Sequence, residues 1–161
     1  MRNLRNVSGL VGSAILLASV LATPAFAQNA DAEETTAIMR PAVTGVVAMS
    51  VELDGESEVP GPGDADAEGR AFLMLHPDDG KMCYAVTVSG TTPPTAAHIH
   101  EGAADESGGP VVPLPTDGGL SGCVDADVAL LERISEDPDA FYVNVHTDEH
   151  PQGAVRGQLV N

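Results

Sequence analysis

Apolar and polar residues alternate one for one in short runs along most of this chain, and glycine or proline closes nearly every run. A period of two is the signature of a strand with one buried face. In "TGVVAMSVELDG", Val47, Met49, Val51 and Leu53 alternate with Ala48, Ser50, Glu52 and Asp54. "RAFLMLHP" and "KMCYAVTVSG" are read as strands in the same way, as are "AAHIHEG", "VVPLP", "AFYVNVHT" and "AVRGQLV". The segments "EVPGPGDADAEG", "TTPPT", "AADESGGP" and "TDGGLSG" are read as loops. One helix is expected in "DADVALLERISEDP", capped by Asp125 or Asp127 and ended by Pro138. Strands do not alternate with helices, and there is no internal repeat. The expected fold is therefore all-β, an antiparallel Greek-key β-sandwich or barrel with one short helix.

The beginning of the chain does not follow this pattern. Arg2 and Arg5 precede an apolar run from Val7 to Ala22, and "TPAFA" places Ala25 and Ala27 at the small positions of a cleavage site. Residues 1–27 read as a secretory signal peptide cut before Gln28. The run is short and carries Gly9, Gly12 and Ser13, which argues against a membrane anchor. Residues 28–42 show no period and read as a flexible leader, so the folding domain is expected at 43–161. The mature protein is then secreted or periplasmic, with no membrane span left after cleavage.

An exported chain with two cysteines, Cys83 and Cys123, is most simply read as holding one disulfide. Cys123 is expected in a loop that the bridge pins to the sheet. Charge narrows the partners. Removing residues 1–27 leaves 134 residues with 5 Lys and Arg against 24 Asp and Glu, a net charge of −19. That sign excludes nucleic acid and anionic membrane surfaces. It suits a protein kept soluble in salt, and it would attract cations.

The alternation also sorts the polar residues. His98 and His100 share one face of their strand, opposite Ala97 and Ile99. Tyr142, Asn144 and His146 share the face opposite Phe141, Val143 and Val145, and Arg156 and Gln158 oppose Val155 and Leu159. A short turn makes the last two strands a hairpin. If "AAHIHEG" lies beside that hairpin, His98, His100, His146 and Arg156 gather on one outer surface. Imidazoles two residues apart on a strand lie about 6.5–7 Å apart along the backbone, within reach of one ion. A third imidazole completes a set suited to copper or zinc. In the alternative reading the histidines bond Asn144, Arg156 and loop carbonyls and are purely structural.

Other motifs fail. "DADAEG" starts like an EF-hand loop, but Leu75 stands where the loop needs its glutamate, leaving at most loose calcium binding. "VSG" and "LSG" lack the flanks of a nucleophile elbow. No catalytic residue is expected. His76 and His150 fall at strand ends or turns, although the turn position of His150 allows it to be a further ligand.

"VELDGESEVPGPGDADAEGRAFLML", "AAHIHEG", "GGPVVPLP" and "FYVNVHTDEHPQGAVRGQL", in that order, resemble the chordin-type CHRD domain over residues 45–160. The resemblance implies an extracytoplasmic β-sandwich domain that acts as a non-catalytic binding module. In animal chordin the domain sits between cysteine-rich modules that bind growth factors. Nothing here resembles those modules, so growth-factor antagonism does not carry over. The chain departs from the pattern at Glu101, which stands before Gly102 where the family often has glycine directly after the second histidine. It is expected to add an acid beside the pair. The placing of His98, His100, His146 and Arg156 is similar, more weakly, to Cu/Zn superoxide dismutase, but the bridging-histidine and zinc-loop pattern is missing. Three functions remain in order: an exported module that binds copper or zinc through His98, His100 and His146, with His150, Glu101, Arg156 and Asn144 as possible additions; a structural or adhesive domain with a protein or glycan partner; and, last, a dismutase-like redox enzyme.

Overall fold

The computed structural model describes residues 44–160. The signal peptide expected at residues 1–27 and the leader expected at 28–42 lie outside the described residues. Within them are eight strands: β1 (Val47–Asp54), β2 (Glu68–His76), β3 (Lys81–Ser89), β4 (Pro94–Glu101), β5 (Pro110–Pro113), β6 (Ser121–Asp125), β7 (Phe141–Thr147) and β8 (Val155–Gln158). One helix, α1 (Val128–Glu136), lies between β6 and β7, and single 3₁₀ turns occur at Pro77–Asp79 and Pro138–Ala140.

All pairings are antiparallel, and they form one sheet in the order β5-β4-β7-β8-β1-β2-β3-β6. β1 to β3 form a meander, whereas β4 and β7 pair in the other half, on the far side of β1. The two halves meet at β1 and β8, where Asp54 faces Arg156. The sheet curls, and both halves supply a single apolar core. Met49, Val51 and Leu53 reach it from β1, and Leu73 and Leu75 from β2. Ile99, Val143, Val145 and Val155 come from the other half. Each fully buried aliphatic side chain contributes on the order of 1.5–3 kcal/mol relative to exposure. Helix α1 adds Leu131 and Ile134. It is Asp127 that caps it, accepting from the Leu130 amide at 3.1 Å, and Pro138 opens the 3₁₀ turn that follows.

The all-β expectation and the single helix agree with this architecture. The loop expected around Cys123 does not. Ser121–Asp125 is strand β6, and Cys123 pairs directly with Cys83 of β3. The disulfide therefore clips two neighbouring strands and does not pin a loop. The strand was hidden because it is short, contains Gly122 and sits at the edge with mostly exposed residues, so it has no buried face to impose alternation. The opposite edge, β5, begins and ends in proline.

Candidate metal centre

Register assembles the polar face. β4 lies against β7 with His98 opposite Asn144, His100 opposite Tyr142 and Ala96 opposite His146. β7 lies against β8 with Asn144 opposite Arg156 and Tyr142 opposite Gln158. His98, Asn144 and Arg156 thus form one row across three strands, and His100, Tyr142 and Gln158 form the next. Gly157, between the two β8 residues, touches β1: a Cβ there would lie 2.2 Å from the Glu52 carbonyl oxygen. Glycine at this position lets β8 bring Arg156 against β1.

The three histidines converge. Their candidate ligand nitrogens all lie within 4.8 Å of one another. Ring centroids are 5.5 Å apart for His98 and His100, 5.2 Å for His98 and His146, and 5.9 Å for His100 and His146. Three nitrogens on one tetrahedral ion, each at about 2.0–2.1 Å, stand about 3.4 Å apart. Side-chain movements of less than about 1 Å per ring close that gap. His98 Nδ1, His100 Nε2 and both His146 ring nitrogens are buried and have no hydrogen-bond partner. Buried polar atoms left unpaired are costly, and clustering of several points to something that pairs them.

His100 is held most firmly. Its Nδ1 lies 2.9 Å from the Gly108 carbonyl oxygen, which can only accept, so Nδ1 carries the proton and Nε2 offers its lone pair. Its ring stacks on Tyr142 with centroids 4.9 Å apart. The Tyr142 hydroxyl and the Gly108 amide lie 3.1 Å apart. His98 and His146, both half-buried, border an open hollow with Thr95, Thr147, Asp148 and Pro151.

The remaining candidates have other tasks. Arg156 is buried, its guanidinium 3.5 Å from the Tyr142 ring centre. It donates to the Ala103 and Glu106 carbonyls at 2.6 and 2.8 Å. Gln158 donates to the Gly102 carbonyl at 2.9 Å. Residues 102–109 are thereby bound down over the polar face, so the expected outer surface is roofed and His100, Asn144 and Arg156 are buried. The acid expected beside the histidines, Glu101, instead forms a two-pronged ion pair with Arg133 of α1 at 2.7 and 3.1 Å. One residue on from His100, it points to the other face of the strand. His150 stands apart from the three-histidine cluster, with its Nε2 3.7 Å from Asp64. The Asn144 amide nitrogen donates to both carboxyl oxygens of Glu58, at 2.8 and 3.0 Å.

Glu58 carries no signal in the sequence, because it sits in the aperiodic loop between β1 and β2. Two glycines, one in the same loop and one far along the chain, leave room for its side chain. A Cβ on Gly63 would lie 2.7 Å from Glu58 Cγ, and one on Gly153 would lie 2.4 Å from Glu58 Oε2. Tyr142 was visible as a polar-face residue, but its part in bracing His100 depends on the loop that covers it.

The sequence matches the CHRD domain over residues 49–159. This chain belongs to the CHRD family. No curated protein and no solved structure matches it. In this CHRD domain the "AAHIHEG" and "FYVNVHT" segments supply the adjacent strands β4 and β7, and the face they share is the one that gathers the imidazoles.

Burial holds His98, His100 and His146 below the ordinary histidine range, and repulsion from charged neighbours adds to it. The Gly108 carbonyl, bonded to His100, works against this, as does, more weakly, the Pro151 carbonyl near His146, which lies outside hydrogen-bond geometry. The rings are therefore neutral at pH 7, the form a metal needs. Burial likewise pushes the Glu58 carboxyl up, from 4.5 to about 7. The two effects have opposite signs. As pH falls through about 6.5, the unfolded chain takes up protons that the folded histidines refuse, and stability drops. As pH rises from 4.5 through 7, the unfolded chain loses a proton that folded Glu58 keeps, and stability also drops. Thermal melts of Glu58→Gln and wild type between pH 5 and 8 should diverge, with the variant gaining on wild type as pH rises. A difference that does not change with pH would contradict the raised Glu58 value.

Proposed function

We propose that this CHRD domain is an exported, non-catalytic binding module that takes one copper or zinc ion on His98, His100 and His146. The observation that carries the reading is the convergence of three imidazoles, each with at least one buried ring nitrogen that has no hydrogen-bond partner. An all-nitrogen set with an open side suits Cu(II) and Zn(II), with copper favoured by the usual affinity order. His98 and His146 would hold the ion next to a hollow that Asp148 also lines. The secretory reading of residues 1–27 and the Cys83–Cys123 disulfide favour a secreted or periplasmic setting. Among the described residues no helix is long and apolar enough to cross a membrane.

One observation favours the structural alternative: His100 is bonded to Gly108 and stacked on Tyr142, as a purely architectural histidine would be. It does not extend to His98 Nδ1 or to either ring nitrogen of His146, which have no hydrogen-bond partner. A dismutase-like role is the least supported. An anionic substrate would meet Asp148 at the mouth, and Arg156 is buried and engaged with loop carbonyls.

The test is calorimetric titration of untagged mature protein with Cu(II) and with Zn(II) at pH 7.5. One ion per chain with a Kd in the micromolar range or below is expected. Saturation at well under one ion per chain, or millimolar binding, would leave the adhesive or structural reading in its place.

A further inference from the structure

Beside the three histidines lies a buried acid that the metal reading does not use. Glu58 is 7 % exposed, and Asn144, which holds it, is 3 % exposed. Asn144 stands directly opposite His98 across the β4–β7 ladder. Facing strand neighbours have Cβ atoms about 4.5–5.5 Å apart, so the carboxyl group lies one side chain beyond the site. The side-chain donor that reaches Glu58 is a neutral amide. The cation that acts on it, Arg156, directs its guanidinium to the carbonyls of Ala103 and Glu106 and to Gln158.

We infer that Glu58 is the charge-compensating acid of the histidine site, giving up its proton to solvent when a divalent cation binds and returning to the neutral acid when the cation leaves. The inference rests on the metal reading and specifies how that site is regulated. A dication brought into a partly dry site raises the local charge by two. The carboxyl group one residue away answers by ionising, which lowers that gain to one. The balance is cation plus protonated Glu58 giving bound cation, carboxylate and one proton released to buffer. No oxidation or reduction is involved.

The groups around Glu58 permit this. From β1, Asp54 favours the protonated form, and from β8, Arg156 favours the ionised one. From β7, Asn144 bonds it, and in its own loop the Val59 amide does so too. His150 and Glu149 line the hollow outside it, and Gly153 lies flat against its carboxyl oxygens. The side chain is therefore poised by burial against a few weak, opposed neighbours, with its raised value of about 7 as a consequence.

The experiment is zinc titration by calorimetry in two buffers of different ionisation enthalpy, at pH 6 and pH 8, on wild type and Glu58→Gln. Wild type should release about half a proton more than the variant at pH 6 and about the same number at pH 8. At pH 8 the variant should bind zinc about tenfold more weakly, having lost a nearby negative charge. Carbon-13 NMR of the Glu58 carboxyl in unmutated protein is a second measure, and its titration midpoint should move down by more than one pH unit with zinc. Equal proton release by the two proteins at pH 6, or a midpoint that zinc does not move, would overturn the inference while leaving the metal site intact. Zinc that fails to bind wild type at all would overturn both.

Discussion

His146→Ala is expected to lower copper or zinc affinity by about a hundredfold or more while leaving the domain folded. Removing a partner that merely steadies a ligand already costs 10–100-fold, so a lost ligand should cost at least as much. The fold should survive because the His146 ring nitrogens bond nothing. Its cross-strand position opposite Ala96 involves the backbone, which alanine preserves. His98→Ala should behave in the same way. His100→Ala should differ, because it also gives up the Gly108 bond and the Tyr142 stack, and so should lower both affinity and melting temperature. Calorimetry with metal and thermal melts without it separate the two cases. A melting temperature that drops for His98→Ala and His146→Ala, with no metal bound by wild type, would mark the histidines as architectural.

Replacing Cys83 and Cys123 together with serine should destabilise the domain by about 3–4 kcal/mol, from the size of the loop the bridge closes. The two residues are 40 apart in sequence, and the segment between them includes all of β4 and β5. The bridge therefore restrains, in the unfolded chain, the stretch that carries His98 and His100. Denaturant unfolding of oxidised wild type and the double variant gives the difference. A loss of less than about 1 kcal/mol would mean that β3 and β6 hold each other without the bridge.

Much of this was legible because a strand with one buried face must alternate. The period of two assigned β1 to β4, β7 and β8, and it put His98, His100, His146, Asn144 and Arg156 on the face away from Ile99, Val143 and Val155. The short turn between β7 and β8 gave their pairing. What stayed hidden were effects that period does not encode. Strand β6 buries too little to show a pattern. Glu101 could be placed beside the histidines only by counting along the chain, whereas Arg133, 32 residues away, draws it to the helix. The roof over the polar face depends on Arg156 and Gln158 finding the carbonyls of residues 102–106. Room for the Glu58 side chain is left by glycines 5 and 95 positions further along the chain, Gly63 and Gly153, a coincidence of the folded chain alone.

The outermost strands decide how such a sheet behaves in company. An antiparallel ladder ends in a row of free amides and carbonyls that can recruit a passing chain. On β5, prolines at 110 and 113 remove the amide hydrogens at both ends of a four-residue strand. On β6 the outermost strand has five residues and is covalently fixed to its neighbour. Lateral growth into fibrils thus finds no long, open template at either margin of the sheet.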